Sequence, residues 1–174
     1  MLKIDIKKFD KNVFTEIDKK WGIITAGDKF VGFNGMTVSW GGFGIMWNKP
    51  VAFIFVRKSR YTHEFLDKSD SITIAFLSDE FKNAKALFGS KSGRDLNKYE
   101  ASGLHPVFEP DFNGYYPKEA DYVFKMKVLY NTDLENMPED IQNKFYPTND
   151  LHTMYICEIK EYLIKEWKSV NWKK

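Results

Sequence analysis

Residues 34–62 read NGMTVSWGGFGIMWNKPVAFIFVRKSRYT, and the rest of the chain is interpretable outward from them. Asn34-Gly35-Met36-Thr37-Val38-Ser39-Trp40 alternates like a β-strand. A Gly41-Gly42 step follows, then a turn around Asn48-Lys49-Pro50 with proline where it removes no ladder donor. Val51 to Val56 is a continuous apolar run of strand length, which predicts a strand buried on both faces. It ends in Arg57-Lys58-Ser59-Arg60-Tyr61-Thr62, where a helical segment begins with Thr62 as its predicted N-cap. Hydroxyls, backbone amides and two arginines therefore gather at strand ends beside aromatic rings. An anionic group carrying a flat ring would use both.

The totals bound what surrounds this stretch. With 174 residues, the chain is long enough to enclose one sizeable core, and a single domain over 1–174 is expected. A net charge of +2, with 43% hydrophobic and 29% charged residues, is ordinary for a soluble globular protein and lacks the basic stripe of a nucleic-acid binder. The late lysines Lys165, Lys168, Lys173 and Lys174 read as a solvated tail. Aromatic content of 17% serves cores and flat ligands equally well, so it does not choose between them. The single cysteine, Cys157, excludes an intramolecular disulfide and a multi-cysteine zinc site, and its apolar surroundings predict an inert thiol. The charged, alternating start does not resemble a signal peptide, and no apolar run approaches the ~20 residues that cross a bilayer. The expectation is a cytoplasmic protein without membrane association.

Along the chain, Ile4 to Phe9 reads as a short edge strand or an arm, and Asn12 to Lys20 as a short amphipathic helix. Trp21 to Gly27 reads as a strand, closed by a tight Asp28-Lys29 turn, with Phe30 beginning the return. Gly32 and Gly35 predict a bulge or a close backbone approach. Ser71 to Phe76 is a further strand, and Ser78-Asp79-Glu80 caps a helix running to about Phe88. Gly89 to Asp95 is a glycine- and hydroxyl-rich loop, followed by a helical piece through Tyr99. Ala101 to Lys118, with three prolines, reads as loop. Asp121 to Asn131 predicts a half-exposed strand, Pro138 to Tyr146 a short helix with proline at its first position, and His152 to Ile164 a long final strand. The sum is a mostly β protein with peripheral helices, five to seven strands in a closed or nearly closed antiparallel barrel.

No GxSxG, P-loop, HExxH or GxGxxG element is present, so the nucleotide and hydrolase motifs give no lead. His63, His105 and His152 lack metal-ligand spacing, and no metal site is expected. A phosphate site has more support: Thr37, Ser39, Ser59 and Thr62 offer hydroxyls, Arg57 and Arg60 offer charge, and the helix opening at Thr62 offers free amides. Solvated strand-end arginines with turn-filling hydroxyls explain the same residues equally well. Trp40, Trp47 and Tyr61 fit the core or a ligand face. The loop Ser90-Lys91-Ser92-Gly93-Arg94 is a second cationic wall or simply solvated, and His152 is a pocket-mouth or a surface histidine.

NGMTVSW, the Trp-x-Lys-Pro-Val step and the strand ending in VRKSRYT resemble the flavin reductase-like proteins of the FMN-binding split-barrel fold, closest to the flavoredoxin-like branch. The resemblance continues through FGSKSGRD and returns at HTMYICEI, covering most of residues 20–165. It implies a six-stranded antiparallel barrel in a homodimer, with FMN held noncovalently near the interface. Carried over by match, Asn34, Met36, Thr37, Val38, Ser39 and Trp40 would run along the flavin. Arg57, Ser59, Arg60, Tyr61 and Thr62 would hold the phosphate, with Lys91, Ser92 and Gly93 as a further contact and His152 near the ring. The resemblance assigns no catalytic residue. It implies an oxidoreductase that passes a hydride or electrons from NAD(P)H, or from a redox partner protein, to an acceptor through FMN. Two alternatives stay open: a flavoredoxin-like electron carrier without efficient NAD(P)H oxidation, and a split barrel binding haem or pyridoxal phosphate. Relatives that supply flavin to monooxygenases carry a Gly-Asp-His turn before the last strands, whereas this chain has Asn149-Asp150-Leu151-His152.

Overall fold

In the computed structural model, which describes residues 1–166, backbone pairing is dominated by one antiparallel sheet. Lys168, Lys173 and Lys174 of the expected tail lie outside the described residues, and Lys165 is exposed. The strands are β1 (Leu2–Ile4), β2 (Gly22–Asp28), β3 (Gly32–Val38), β4 (Gly41–Met46), β5 (Lys49–Arg57), β6 (Ser71–Phe76), β7 (Pro106–Glu109), β8 (Gly114–Pro117), β9 (Tyr122–Asp133) and β10 (His152–Ile164). The order across the sheet is β3-β2-β6-β9-β10-β5-β4, with β1 added beside the far end of β10. β7 and β8 form a separate hairpin. The helices are α1 (Val13–Thr15), α2 (Tyr61–Leu66), α3 (Lys82–Ser90), α4 (Lys98–Ser102) and α5 (Glu139–Phe145). α1 runs on as a π-helical turn, Glu16–Lys20, with Asn12 capping its start through bonds from Phe14 N and Thr15 N.

This is the fold the sequence predicts, a split barrel with peripheral helices, but its strand count exceeds six. The eight-stranded sheet includes β4, whose glycines Gly41, Gly42 and Gly44 mask it as a turn, and β1, which is only three residues long. The β4–β5 turn is Trp47-Asn48, both with positive φ (50° and 57°), the geometry of a two-residue hairpin turn. Lys49 and Pro50 belong to β5 rather than to the turn, with Pro50 opposite Ile45. The first hairpin turns over Lys29 to Val31, where Asp28 Oδ1 accepts from Phe30 N and Val31 N, so the return begins at Gly32 and not at Phe30.

Burial on both faces falls on different strands from the one expected. β6 is buried at every position, because one face enters the barrel core and the other is covered by α3, α4 and the β7–β8 hairpin. Ile24, Ile72, Ile74, Phe76, Phe124 and Met126 fill the barrel. Ile23, Ala75, Leu77, Phe88, Tyr99 and Val123 fill the outer layer. The first half of β9, expected to be half-exposed, is buried through Met126, and even Lys125 is only 5% exposed. β5 instead buries Ala52, Ile54 and Val56 in the core and leaves Phe53 and Phe55 half-buried on its outer face. The β7–β8 hairpin lies inside the stretch read as loop, where Pro106 and Pro117 sit at strand ends. Helix starts also shift: a 3₁₀ turn at Asp79–Phe81 precedes α3, which continues through Gly89 to Ser90, and Pro138 caps α5 instead of occupying its first position.

Gly35 illustrates a close approach that serves packing rather than a ligand. A Cβ there would lie 2.6 Å from the Phe88 ring, so the glycine lets α3 sit against β3.

Candidate functional site

Two adjoining cavities lie where β3, β5, α2 and the loop between α3 and α4 converge. The larger, about 530 Å³, is lined by Met36, Thr37, Val38, Ser39, Trp40, Phe55, Arg57, Ser59, Arg60, Asp150 and His152. The smaller, about 170 Å³, is lined by Met36, Ser59, Arg60, Tyr61, Thr62, Lys91, Ser92, Gly93, Arg94 and Lys98. Met36, Ser59 and Arg60 line both, so the two chambers adjoin. Every residue that the resemblance assigns to the flavin except Asn34 lines one chamber or the other, while Trp47 sits exposed on the β4–β5 turn and Ser90 donates back to the Ala86 carbonyl, outside both. Asn34 sits behind the wall: buried, it donates through Nδ2 to Thr62 Oγ1 at 2.7 Å and fixes the start of α2 against β3.

The larger chamber mixes the apolar Met36, Val38, Trp40 and Phe55 with hydroxyls, two arginines, Asp150 and His152. Trp40, 42% exposed, packs its ring 4.9 Å from His152 and edge-on to Phe145 at 5.8 Å. His152 shares a 2.8 Å hydrogen bond through Nδ1 with the Tyr146 hydroxyl. Burial, reinforced by the neighbouring Arg57 charge, pushes the His152 imidazole down to about 4, so it is neutral at ordinary pH. The turn before it tolerates the missing glycine because Asn149 itself adopts φ 57°, the left-handed conformation that asparagine enters more readily than most residues.

Arg57 is not free to meet a ligand with its whole fork. Its guanidinium donates to the carbonyls of Asp150 (2.9 Å) and Phe145 (3.0 Å) and lies 5.0 Å over the Tyr146 ring. It ties the α5–β10 connection to the end of β5. Asp150 makes the reciprocal tie, accepting from Ser59 N at 3.1 Å and Ser59 Oγ at 2.6 Å. The hydroxyls are also mostly committed: Thr37 donates to the Lys85 carbonyl at 2.5 Å, and Thr62, 1% exposed, receives the Asn34 amide. Thr62 is therefore not a helix cap; Arg60 occupies the N-cap position of α2 without a side-chain cap bond. The Thr37 and Ser59 hydroxyls thus spend their donors inside the wall, whereas Thr62 is engaged there as an acceptor. Ser39 is exposed and makes no side-chain hydrogen bond among the described residues.

The smaller chamber is cationic. Arg60, Lys91, Arg94 and Lys98 line it, and no carboxylate does. Arg60 spends one N–H on the Gly89 carbonyl at 2.5 Å; burial and then Arg57 lower its pKa from the usual arginine value. Arg94 lies 4.9 Å over the Tyr61 ring, donates to the Ser59 carbonyl, and pairs with Glu64 at 2.5 Å. The α2 amides of Tyr61 and Thr62 precede the helix's first bond, His63 N to the Arg60 carbonyl at 2.9 Å. Gly93 is required by close packing, since a Cβ would stand 2.0 Å from Asn34 Oδ1 and 3.0 Å from Tyr61 Cδ1.

Sequence reasoning passed over Lys98, Asp150 and Phe55 as site residues. Phe55 had the one available signal, an aromatic within the apolar run just before Arg57. Asp150 lies in the Asn149-Asp150-Leu151-His152 turn, where the sequence signals only a missing glycine, and Lys98 is brought in by the fold from a position with no motif of its own.

A chamber walled by Trp40, Phe55 and Met36 beside a small cationic one suits a phosphorylated planar ligand. The chain belongs to the flavin reductase like domain family, whose model matches residues 16–171. Among solved structures, it is similar to flavoredoxin of Desulfovibrio vulgaris (Miyazaki F), at 18% identity, TM-score 0.69 and coverage of 94% of this chain and 78% of that one. It is also similar to an FMN-binding domain of a flavin reductase-like enzyme from Shewanella baltica (16%, TM-score 0.66, 92% and 75%). A third similar structure is the Streptomyces globisporus NADH:FAD oxidoreductase (14%, TM-score 0.62, 84% and 75%). No curated protein matches the sequence. Among the described residues, no helix is long and apolar enough to cross a membrane.

Proposed function

We propose that this protein is an FMN-dependent oxidoreductase that takes reducing equivalents from NAD(P)H and passes them to an acceptor. The observation that carries the reading is that the two chambers adjoin at Met36, Ser59 and Arg60, an arrangement that suits a ring joined to a phosphate by a short chain. FMN would supply the redox chemistry, receiving a hydride and releasing electrons, and the residues present fit it. Met36 to Trp40 and Phe55 would flank the ring, and Arg60, Lys91, Arg94 and Ser92 would hold the phosphate. Trp40, Phe145 and the neutral His152 form an apolar rim that excludes water from the ring's surroundings. Arg57 and Asp150 hold that rim in place through the Phe145 and Asp150 carbonyls and Ser59. Hydride transfer to the ring would demand orientation first, and the chamber walls would supply it.

A second reading, a carrier fed by a redox partner protein, is favoured by the engagement of His152 Nδ1 with Tyr146, which leaves that nitrogen committed within the protein. We also propose a homodimer. On the β4–β5 hairpin Ile45 (74%) and Trp47 (54%) are exposed, and Trp47 packs edge-on to exposed Tyr130 at 6.5 Å, next in sequence to exposed Leu129, apolar surface suited to a second copy. Sedimentation of the purified protein tests this; a monomer at micromolar concentration rejects it.

The deciding experiment is an anaerobic absorbance titration with FMN, followed by NADH and then NADPH. Perturbed flavin bands that bleach within seconds support the reductase. Tight binding without bleaching selects the carrier, and absence of flavin binding rejects both.

A further inference from the structure

We propose that Lys98 is the cation that reads a bound phosphate monoester at the floor of the smaller chamber, its one uncommitted N–H being the donor. This rests on the reading of that chamber as the phosphate end of a flavin site. Lys98 opens α4 and is 5% exposed, yet it lines the cavity. Its Nζ donates to the carbonyl oxygens of Gly35 and Phe88, each at 3.0 Å, and no carboxylate among the described residues pairs with it. Two carbonyls match the two N–H bonds of a neutral amine. The tetrahedral nitrogen then has a single vertex without a protein partner. That vertex holds a lone pair when the amine is neutral and a third N–H when it is charged, and only the charged form can donate to a ligand.

The surroundings favour the neutral form while the chamber holds no anion. Burial, and next the Arg60 charge, push the Lys98 ammonium down to about 8. The other titratable groups facing it are Lys91 and Arg94 from the loop before α4, Tyr61 from α2, and the buried Tyr99 hydroxyl, which is spent on Thr25. None brings a negative charge. A phosphate monoester would bring two, and the opposite charge would return the Lys98 pKa toward or above its ordinary value. Ligand binding then takes up a proton. The sign is fixed: affinity is full below pH 8 and falls as pH rises through 8. The phosphate itself completes its second ionisation near pH ~6, so it does not contribute in that window. His152, held to about 4, is outside it as well.

The test is the dissociation constant of FMN, and of riboflavin, between pH 7 and 9.5, for the native protein and the Lys98→Met and Lys98→Arg variants, with thermal melting of each. Native affinity for FMN is expected to fall about eightfold between pH 7.5 and 9, the loss that linkage gives for a free-state value near 8 and a bound-state value of about 10 or more. Riboflavin affinity should stay flat. Lys98→Met should bind FMN more weakly at pH 7 and without pH dependence. Lys98→Arg, which cannot lose its proton, should also be flat, with affinity closer to native. Proton uptake at pH 8, read by calorimetry in two buffers of different ionisation heat, should vanish in Lys98→Met. A folded native protein that binds FMN with a flat profile overturns the inference and leaves the flavin reading intact. If FMN does not bind but inorganic phosphate raises the melting temperature with the same pH dependence, the inference stands and the flavin reading falls. Binding of neither overturns both.

Discussion

Arg57 and Arg60 are three residues apart and carry the same charge, and replacing each by alanine should separate two different roles. Arg60 faces both chambers and spends one N–H on the Gly89 carbonyl, leaving four for a ligand. A hydrogen bond to a charged partner contributes ~1.5–3 kcal/mol, and tenfold in affinity corresponds to ~1.4 kcal/mol. Arg60→Ala should therefore weaken FMN by about 10- to 150-fold while changing riboflavin, which lacks the phosphate, much less. Arg57 donates to the Phe145 and Asp150 carbonyls and covers Tyr146. Removing it leaves those acceptors without partners, at ~1–3 kcal/mol, and loosens the segment that positions His152 and the Trp40 rim. Arg57→Ala should lower the melting temperature and weaken FMN and riboflavin alike. The assay is a flavin absorbance or fluorescence titration of both ligands against each variant, with a thermal melt to confirm folding. Equal loss of both ligands in Arg60→Ala, or a phosphate-selective loss in Arg57→Ala, would refute this division of labour.

A Gly93→Ala Cβ would stand 2.0 Å from Asn34 Oδ1, so the variant should lose ~1–3 kcal/mol of stability and bind FMN poorly, whereas Gly42→Ala, with no heavy atom within 4 Å of its new Cβ, should do neither. Thermal melts and FMN titrations of the pair check this. His152, at about 4 in the fold against its ordinary value near 6.5, leaves the unfolded chain binding more protons below pH 6.5; stability should fall with pH through that window and level off below about 4. Urea melts at pH 7 and 4.5 should show a smaller difference for His152→Asn than for the native protein, and an unchanged difference would mean His152 is not the titrating group. The Cys157 thiol, 0% exposed and pushed up to about 12 by burial, should not react with a thiol reagent in the native protein at pH 8 but should react after denaturation.

Several elements were readable because their information is local. β10 spans His152–Ile164 as the apolar spacing predicts, and β2 and β6 match to within a residue. The helical stretch expected over Asn12 to Lys20 is present, with Asn12 as its cap rather than its first residue. Elements whose identity depends on a distant neighbour were not readable. β4 is glycine-rich and gains strand form from pairing with β5; the β7–β8 hairpin hides among prolines and is held over β6, where Thr73 donates to the Tyr115 carbonyl. Whether Val51–Val56 is covered on one face or two depends on where α3, α4 and the hairpin settle, which is over β6.

The site divides in the same way. The strand ends, the arginines and the basic loop could be named from residues 34–62 and 89–95, because family resemblance and charge are written in the chain order. What each does could not. Arg57 meets Asp150 across 93 positions, and Lys98 meets Gly35 across 63, so their commitments exist only once the sheet has closed and the connections have docked. The sequence by itself determined the family, the barrel class and which residues converge. The tertiary structure alone decided which of their donors are already spent inside the protein and which remain for a ligand, because a hydrogen-bond donor satisfied by a buried carbonyl has little left to offer.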